Sequence, residues 1–262
     1  AIYDDLKMIN EFEAHREEDE PGDLSFDDCV EVKELSFKYP EADKMIVSRV
    51  DLRISKNTSV GLIGPSGQGK TTFADLLLGL YDPVEGRIFV DKTDLGTNIN
   101  GWHHIIGYIP QNIFLCDDTI RNNVAYGIDK DKIKDDLIWE ALEKAQLKEF
   151  VQSLDKGLDT IVGERGVRIS GGQRQRIGIA RALYNDPEFL VLDEATSALD
   201  NDTEQAVMDA INRLHGDKTL LIIAHRLSTI EKCDVIYRVN EGKIEAVSKE
   251  ELKSMDHDRE QR

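Results

Sequence analysis

The stretch "GLIGPSGQGKTT" at residues 61–72 decides the fold of this 262-residue chain. A short apolar run is followed by three glycines and then by a lysine and two threonines. This is the position at which a strand is expected to end and a helix to begin. Residues 64–71 fit the pattern GxxxxGK[ST], whose glycines let backbone N–H groups turn inward around phosphate oxygens. The helix that follows adds the positive end of its dipole. The pattern therefore predicts a phosphate-binding loop.

The side chains at the end of this loop have predicted roles in holding a nucleoside triphosphate. Lys70 is expected to bridge the β- and γ-phosphates, and the Thr71 hydroxyl is expected to ligate Mg²⁺. The match lies between the strand-like "SVGLI" and the helical "TFADLLLGL", which disfavours a chance match. The predicted nucleotide-binding residues of this stretch are Gly64, Pro65, Ser66, Gly67, Gln68, Gly69, Lys70, Thr71 and Thr72.

A pair of carboxylates follows a second apolar run, in "FLVLDEATSALD" at residues 189–200. A buried strand would end on Asp193, which is then well placed to hold Mg²⁺ through water, and Glu194 follows it directly. A second carboxylate beside the metal suits polarising an attacking water. Alone, such a pair is more often a charge cluster at a helix N-terminus. Beside the phosphate-binding loop, the catalytic interpretation is favoured.

A second glycine turn opens a helix in "ISGGQRQRIGIARAL" at residues 169–183. The turn is a potential anion site, although by itself it would be interpreted as a serine-capped helix start. One chain cannot easily place both glycine turns on the same phosphate group. A second copy is therefore expected to contribute this turn.

The remaining apolar pattern predicts an α/β fold with a mostly parallel sheet. The runs at 189–193 and 219–224 are continuously apolar, as strands buried on both faces should be, and a helical pattern at 201–216 lies between them. Alternating stretches predict an antiparallel β edge near residues 29–60. A helical subdomain is expected near 113–185, including "DDLIWEALEKAQLKEFVQSL", which starts at an acidic cap.

The composition of the chain disfavours some classes of binding partner. The formal net charge is −18 and the chain has no basic run, which disfavours binding to nucleic acid and to an anionic membrane surface. No apolar run approaches the length of a membrane span, and the residues after Ala1 lack the basic and apolar segments expected of a signal peptide. The three scattered cysteines are expected to be buried, reduced thiols.

Taken together, these motifs resemble the nucleotide-binding domain of an ATP-binding cassette (ABC) transporter, from about residue 29 to residue 250. The Walker A loop is Gly64 to Thr71, and the Walker B strand ends at Asp193. The family signature is Ser170-Gly171-Gly172-Gln173. The resemblance implies a P-loop NTPase core with an antiparallel β subdomain and an inserted α-helical subdomain.

The resemblance also implies roles for four further residues. Tyr39 in "FKYP" matches the aromatic residue that stacks on adenine, and Gln111 in "YIPQN" matches the Q-loop residue that touches Mg²⁺ and senses the membrane partner. Asp200 ends the "SALD" that matches the D-loop. His225 in "IIAHRLS" matches the switch histidine on the γ-phosphate.

The family mechanism then implies two copies that associate head to tail around two ATP molecules. Each ATP would lie between the Walker A loop of one copy and the signature of the other. Glu194 would activate the attacking water, His225 would align it, and Lys70 with Mg²⁺ would stabilise charge on the phosphates. The metal would be held by Thr71, Gln111 and Asp193.

Two stretches favour the exporter branch of the family. "VGERG" at 162–166 is similar to the segment that contacts the coupling helices in exporters, and "DTIRNNVAYG" at 118–127 is also exporter-like. Ile169, where leucine is commoner, departs only conservatively from the signature. An ATPase domain of this kind works at the cytoplasmic face of a membrane, attached to its own transmembrane domain or to a partner subunit.

The expected domain division follows from this interpretation. Residues 1–28 are a linker or helix after a membrane domain, residues 29–255 are the ATPase domain, and residues 256–262 are a tail. The helical spacing in residues 1–14 fits a terminal helix that packs on its own domain equally well. The chain begins at Ala1 rather than Met, which favours a processed chain or an excised fragment.

Three alternatives are less consistent with the sequence. A soluble ABC ATPase acting on DNA would carry a long coiled coil between Walker A and signature, but only 100 residues (170 minus 70) separate Lys70 from Ser170. Ribosome-acting members carry two cassettes, and this chain carries one. The "GERG" stretch disfavours a detached importer subunit, and a P-loop kinase would not need the signature.

Overall fold

The computed structural model shows a core of two β-sheets and the helices that flank them. Phe26, at the start of the described chain, is buried against the core. The structure describes residues 24–40, 42–163, 169–195, 201–224, 227–248 and 251–252. The expected linker helix at residues 1–14 and the expected tail at 256–262 lie outside these residues.

Ten strands in the described part of the chain form the sheets. They are β1 (Cys29–Phe37), β2 (Val47–Ser55), β3 (Ser59–Ile63), β4 (Glu85–Val90), β5 (Thr93–Asp94), β6 (Ile106–Ile109), β7 (Phe189–Asp193), β8 (Thr219–Ile223), β9 (Val235–Asn240) and β10 (Lys243–Ala246).

Eight α-helices lie among the described residues. They are α1 (Lys70–Leu77), α2 (Ile99–Ile105), α3 (Ile120–Val124), α4 (Asp135–Lys144), α5 (Lys148–Gln152), α6 (Gly171–Leu183), α7 (Asn201–Asn212) and α8 (Leu227–Ile230). Short 3₁₀ turns occur at 95–97, 130–132 and 157–159.

The larger sheet confirms the prediction of a mostly parallel core. Its strand order is β10-β9-β3-β8-β7-β6, and all neighbours are parallel except the β9–β10 hairpin. Strands β7 and β8 pair in register from Phe189 opposite Thr219 to Asp193 opposite Ile223. Because consecutive parallel strands need a crossover, helix α7 connects β7 to β8. The carboxyl ends of β3, β7 and β6 therefore lie at one edge.

The antiparallel sheet differs in extent from the expected range of 29–60. Its order is β2-β1-β4-β5, so two of its strands come from residues 85–94. Val30 pairs with Val90 on one side and with Ile54 on the other. The alternation of apolar and polar residues identifies each strand. It does not indicate which strands pair, because pairing depends on contacts between residues that are distant in sequence.

Two hydrophobic cores lie on opposite faces of the parallel sheet, which explains the continuous apolar runs. In β7, Leu190 and Leu192 pack with helical residues such as Ile177. The alternate residues Phe189 and Val191 pack in the second core, with the antiparallel sheet and α1. Since successive side chains of a strand point to opposite faces, a strand between two cores must be apolar throughout.

The segment between β6 and β7 is helical, with α3 to α6, as its pattern predicts. The run at 135–154 forms two helices rather than one, because Gln146, between α4 and α5, adopts a left-handed conformation with a φ of 53°. The expected acidic cap is wrong. Lys134 is the N-cap of α4, and Asp135 and Asp136 occupy the first turn, where the helix dipole still favours them. Among the described residues, no helix is long and apolar enough to cross a membrane.

Candidate functional site

The glycine loop lies between the end of β3 and the start of α1, at the carboxyl edge of the parallel sheet. Gly69 is the N-cap of α1 with φ of 99°, a left-handed conformation that favours glycine, and no side chain caps this helix. A Cβ on Gly64 would lie 2.2 Å from the carbonyl oxygen of Val239, so only glycine fits there. The first amides of α1 are thus uncapped by any side chain, as anion binding requires.

Lys70 lies inside this loop with only 5% of its surface exposed. Its Nζ donates hydrogen bonds to the carbonyl oxygens of Gly64 at 2.9 Å and Pro65 at 3.1 Å. Burial lowers the pKa of Lys70, and the negative charges of Glu194 and Asp193 oppose that effect. The loop therefore encloses a cation that two carboxylates face.

Asp193, the last residue of β7, is 4% exposed and accepts a hydrogen bond from the Thr71 hydroxyl. Its Oδ1 is buried without a hydrogen-bond partner. Burial raises the pKa of Asp193, and the neighbouring charges of Glu194 and Asp75 raise it further. A buried carboxylate oxygen without a donor beside a hydroxyl group is an arrangement that a divalent cation such as Mg²⁺ would satisfy.

Glu194 and Gln111 meet across the same edge of the sheet. The Gln111 Nε2 donates a hydrogen bond of 2.6 Å to the Glu194 Oε2, although 83 residues separate them in sequence. Glu194 itself has a φ of 48°, and its backbone N–H donates to the carbonyl oxygen of Ile223. The turn after β7 thus directs the second carboxylate toward the loop.

A cavity of about 300 Å³ lies in front of these residues. The predicted residues Tyr39 and Thr72 contribute to it, and their hydroxyl groups are 3.1 Å apart. Sequence reasoning missed Ile46, which also contributes a wall. The sequence gives no signal for this role, because Ile46 is placed by the pairing of β1 with β2, where its N–H donates to the carbonyl oxygen of Phe37. The cavity is lined by Tyr39, Ile46, Ser66, Gly67, Gly69, Lys70, Thr71, Thr72 and Glu194.

A second, larger groove of about 720 Å³ lies on the antiparallel sheet, between Glu31 and Phe89. Its walls carry charges of both signs, including Lys33, Asp51 and Arg87, and none of the motif residues. The smaller cavity is therefore the candidate site, since the convergent loop, cation and carboxylates are there.

Gln68 has a structural contact that the loop motif does not indicate. Its Oε1 accepts a hydrogen bond of 2.8 Å from the backbone N–H of Glu241, in the turn of the β9–β10 hairpin. The same hairpin places Val239 against Gly64. The glycine loop is thus braced by a part of the chain that is 173 residues away in sequence.

The signature turn forms a complete capping box at the start of α6. The Gln173 backbone N–H donates to the Ser170 Oγ at 3.2 Å, and the Ser170 N–H donates to the Gln173 Oε1 at 2.9 Å. Ser170 and Gly171 are exposed, whereas Gly172 is buried. The lining of the Lys70 cavity includes no residue of this turn.

The structure therefore brings together the loop, Tyr39, Gln111, Asp193 and Glu194. Two predicted residues, Asp200 and His225, lie outside the described residues, as does the exporter-like Glu164–Gly166. In the described part of the chain, no three His, Cys, Asp or Glu residues cluster as a metal site. A cation at Asp193 would thus rely on Thr71, Gln111 and phosphate oxygens for further ligands.

Comparison with known proteins points to one family. The ABC transporter family model matches residues 47–197. The chain is 43% identical over 228 residues to the ATP-dependent lipid A-core flippase of Idiomarina loihiensis, covering 85% of this chain and 37% of the relative. It is 44% identical over 216 residues to the flippase of the same name from Escherichia coli K12, covering 82% of this chain and 37% of that relative.

Among solved structures, a bacterial Atm1-family ABC exporter with ATP bound superimposes with a TM-score of 0.81 at 35% sequence identity. The match covers 98% of this chain and 45% of the exporter chain. The chain thus spans less than half the length of the relatives that it matches.

Proposed function

The chain belongs to the ABC transporter family, and we propose that it is the unit that powers an exporter by binding and hydrolysing ATP between two copies. As an ABC ATPase domain, the chain binds and hydrolyses ATP. The observation that carries the proposal is the convergence of the buried Lys70 and Asp193 with the half-buried Glu194 at the glycine loop. Such a site places a cation and two carboxylates where a γ-phosphate and its attacking water would meet.

The proposed metal is Mg²⁺, held by Thr71, Asp193 and Gln111. The partnerless Oδ1 of Asp193 and the adjacent Thr71 hydroxyl support this assignment. When bound, Mg²⁺ would neutralise charge on the phosphate oxygens. Gln111 follows β6, and its hydrogen bond to Glu194 supports its placement beside this site.

For hydrolysis, Glu194 is the proposed general base. Its carboxylate would accept a proton from water that attacks the γ-phosphate, and Lys70 would stabilise the charge on the phosphate oxygens. Glu194 lines the cavity, and Gln111 holds one of its oxygens in this structure. His225 is proposed to align the water.

Base recognition is proposed for Tyr39. The Tyr39 side chain lines the cavity together with Ile46. Lys70 lines the same cavity, although it is distant from Tyr39 in sequence. The adenine ring of ATP would stack on the ring of Tyr39. The triphosphate of the same ATP would lie along the glycine loop and end at Lys70.

Two copies are proposed to enclose two ATP molecules head to tail. Each copy would offer Ser170, Gly171, Gly172 and Gln173 to the ATP held by the other copy, with Asp200 at the same interface. The exposed Ser170 turn, which is absent from the lining of its own chain's cavity, supports this arrangement. Because each copy supplies both halves of the site, the contact closes into a dimer.

The whole exporter is also a proposal. Residues 1–28 would connect to a transmembrane domain, residues 29–255 would form the ATPase domain with a helical subdomain near 113–185, and residues 256–262 would be a tail. The chain would then work at the cytoplasmic face of a membrane. The relatives' names, lipid A-core flippase and Atm1-family exporter, support export in general, and one ATPase scaffold can serve many cargoes. With a net charge of −18, nucleic acid is not a proposed partner.

The test of the proposed function is Glu194→Gln. Because this change removes the base and keeps the side chain's shape, ATP turnover should fall by about 100-fold or more, as for loss of a general base. ATP should stay bound, and gel filtration with Mg-ATP should show a dimer. Glu188→Gln is the matched control, since Glu188 lies at the other end of β7 and pairs with Lys56. A monomeric Glu194→Gln protein, or one with full turnover, would contradict the proposal.

A further inference from the structure

Tyr39 belongs to a cluster of three aromatic rings, which we call the aromatic cluster: Phe37, Tyr39 and Tyr81. The Tyr39 ring makes edge-to-face contacts with Phe37, at 5.2 Å and 82°, and with Tyr81, at 5.6 Å and 90°. The Phe37 and Tyr81 rings are 5.3 Å apart and tilted by 34°. Each ring therefore contacts the other two.

The chain segment that begins at the phosphate loop holds Tyr39 at two points. Thr72, in the first turn of α1, contacts the Tyr39 hydroxyl at 3.1 Å. Tyr81 follows the end of the same helix and contacts the Tyr39 ring. The segment that carries Lys70 and Thr71 thus also holds an aromatic ring that lines the same cavity.

Tyr81 itself is 42% exposed, and the cavity lining does not include it. Its contact with the site is through Tyr39. Holding an aromatic ring in one orientation before a ligand arrives reduces the entropy lost on binding. Edge-to-face packing supplies such an orientation, because it is more favourable than a face-to-face sandwich of the rings.

We propose that Tyr81 is a positioning residue for base recognition, which fixes the Tyr39 ring for stacking and does not touch the nucleotide. This inference rests on the proposed stacking role of Tyr39. It predicts that Tyr81 affects only the part of the affinity that depends on the base. The triphosphate contacts of Lys70 and the loop are independent of it.

The test compares two ligands by calorimetry on the 262-residue chain: ATP and inorganic tripolyphosphate, each with Mg²⁺. Tyr81→Ala should weaken ATP binding about threefold to tenfold, the scale of a lost aromatic contact, and leave tripolyphosphate binding unchanged. Tyr81→Phe should bind ATP like the parent chain, because the ring remains. Leu80→Ala is the matched control, since Leu80 is 59% exposed and adjacent to Tyr81 but contributes no ring.

A double-mutant cycle with Tyr39→Ala separates this inference from its premise. If Tyr81 acts through Tyr39, Tyr81→Ala should cause no further loss of ATP affinity in the Tyr39→Ala background. Additive losses, or equal losses for ATP and tripolyphosphate, would overturn the inference. If Tyr39→Ala weakens ATP binding and Tyr81→Ala does not, the inference fails while the role of Tyr39 stands. If Tyr39→Ala leaves ATP affinity unchanged, both fail.

Discussion

At the scale of single residues, the site depends on opposite charges that the fold removes from water. Lys70 and Asp193 are almost fully buried, and burial shifts the pKa of Lys70 down and that of Asp193 up. Each shift is opposed by the other residue's charge. Interactions with phosphate oxygens are stronger in such a region of low dielectric constant than in water.

Lys70→Ala should therefore weaken Mg-ATP binding about tenfold to hundredfold, because a hydrogen bond to a charged group contributes about 1.5–3 kcal/mol. Calorimetry measures the dissociation constant directly. Lys56→Ala is the control, since Lys56 pairs with Glu188 outside the cavity and should leave ATP affinity unchanged. Equal affinities for the Lys70→Ala and parent chains would refute the role assigned to Lys70.

The motif residues could be predicted because their chemistry is local to the glycine loop and to the end of β7. Ile46 and the Gln68 brace could not, since both depend on pairing between distant segments. The Gln68 contact reaches Glu241, 173 residues away, and nothing in the sequence around either residue indicates it. A motif thus identifies the groups that act on the ligand better than the groups that hold them in place.

At the scale of elements, the carboxylate of Asp91 stabilises the first strand of the antiparallel sheet where that strand begins. Asp91, in the turn between β4 and β5, accepts hydrogen bonds from the backbone N–H groups of Asp27, Asp28 and Cys29 at 2.7, 2.9 and 2.8 Å. Burial alone would raise the pKa of Asp91, but the three donors outweigh it and lower the pKa. The ionised carboxylate therefore stabilises the entry into β1.

Asp91→Asn should lower the free energy of unfolding by about 1–3 kcal/mol, because an amide nitrogen replaces one acceptor and faces backbone donors. Since the folded pKa lies below the unfolded value of about 3.9, the contribution is fully present above about pH 4 and is lost as pH falls through the folded pKa. Urea unfolding of both chains across this pH range measures the difference.

Asp155→Asn serves as the control for this change, because Asp155 is exposed. Its free energy of unfolding should stay within about 0.5 kcal/mol of the parent value. If the Asp91→Asn chain were as stable as the parent at neutral pH, the fastening role would be wrong.

Helix ends show why elements are only partly predictable. The pattern at 135–154 indicates the apolar face of both α4 and α5 but not the break between them. There Gln146 is left-handed, and the Leu147 N–H donates to the Leu142 carbonyl oxygen, as in the usual helix stop with glycine. Because glutamine gives no such signal, the break follows from packing rather than from local preference.

At the scale of the whole molecule, the proposed dimer divides each ATP site between two chains. A substitution can therefore inactivate the phosphate loop of one chain and leave its signature turn intact, or the reverse. Two chains that are each inactive could then complement each other in a mixed dimer. A chain with Lys70→Ala keeps a good signature, and a chain with Ser170→Arg keeps a good loop.

Each of these variants alone should have little ATPase activity. An equal mixture should recover about a quarter of the parent activity, because half of the random dimers are mixed and each has one complete site of two. Steady-state phosphate release measures this, and circular dichroism checks that Ser170→Arg still folds without its cap. A mixture no more active than its components would contradict sharing of the site.

The hairpin behind the glycine loop also bears on how the protein is made. Synthesis runs from the amino terminus, so Gly64 and Gln68 leave the ribosome long before Val239 and Glu241, which hold them. A nascent chain therefore carries the complete motif without its support, and ATP capture must await the synthesis of the β9–β10 hairpin. Premature termination in this region would yield a polypeptide with every recognisable nucleotide motif and no competent pocket.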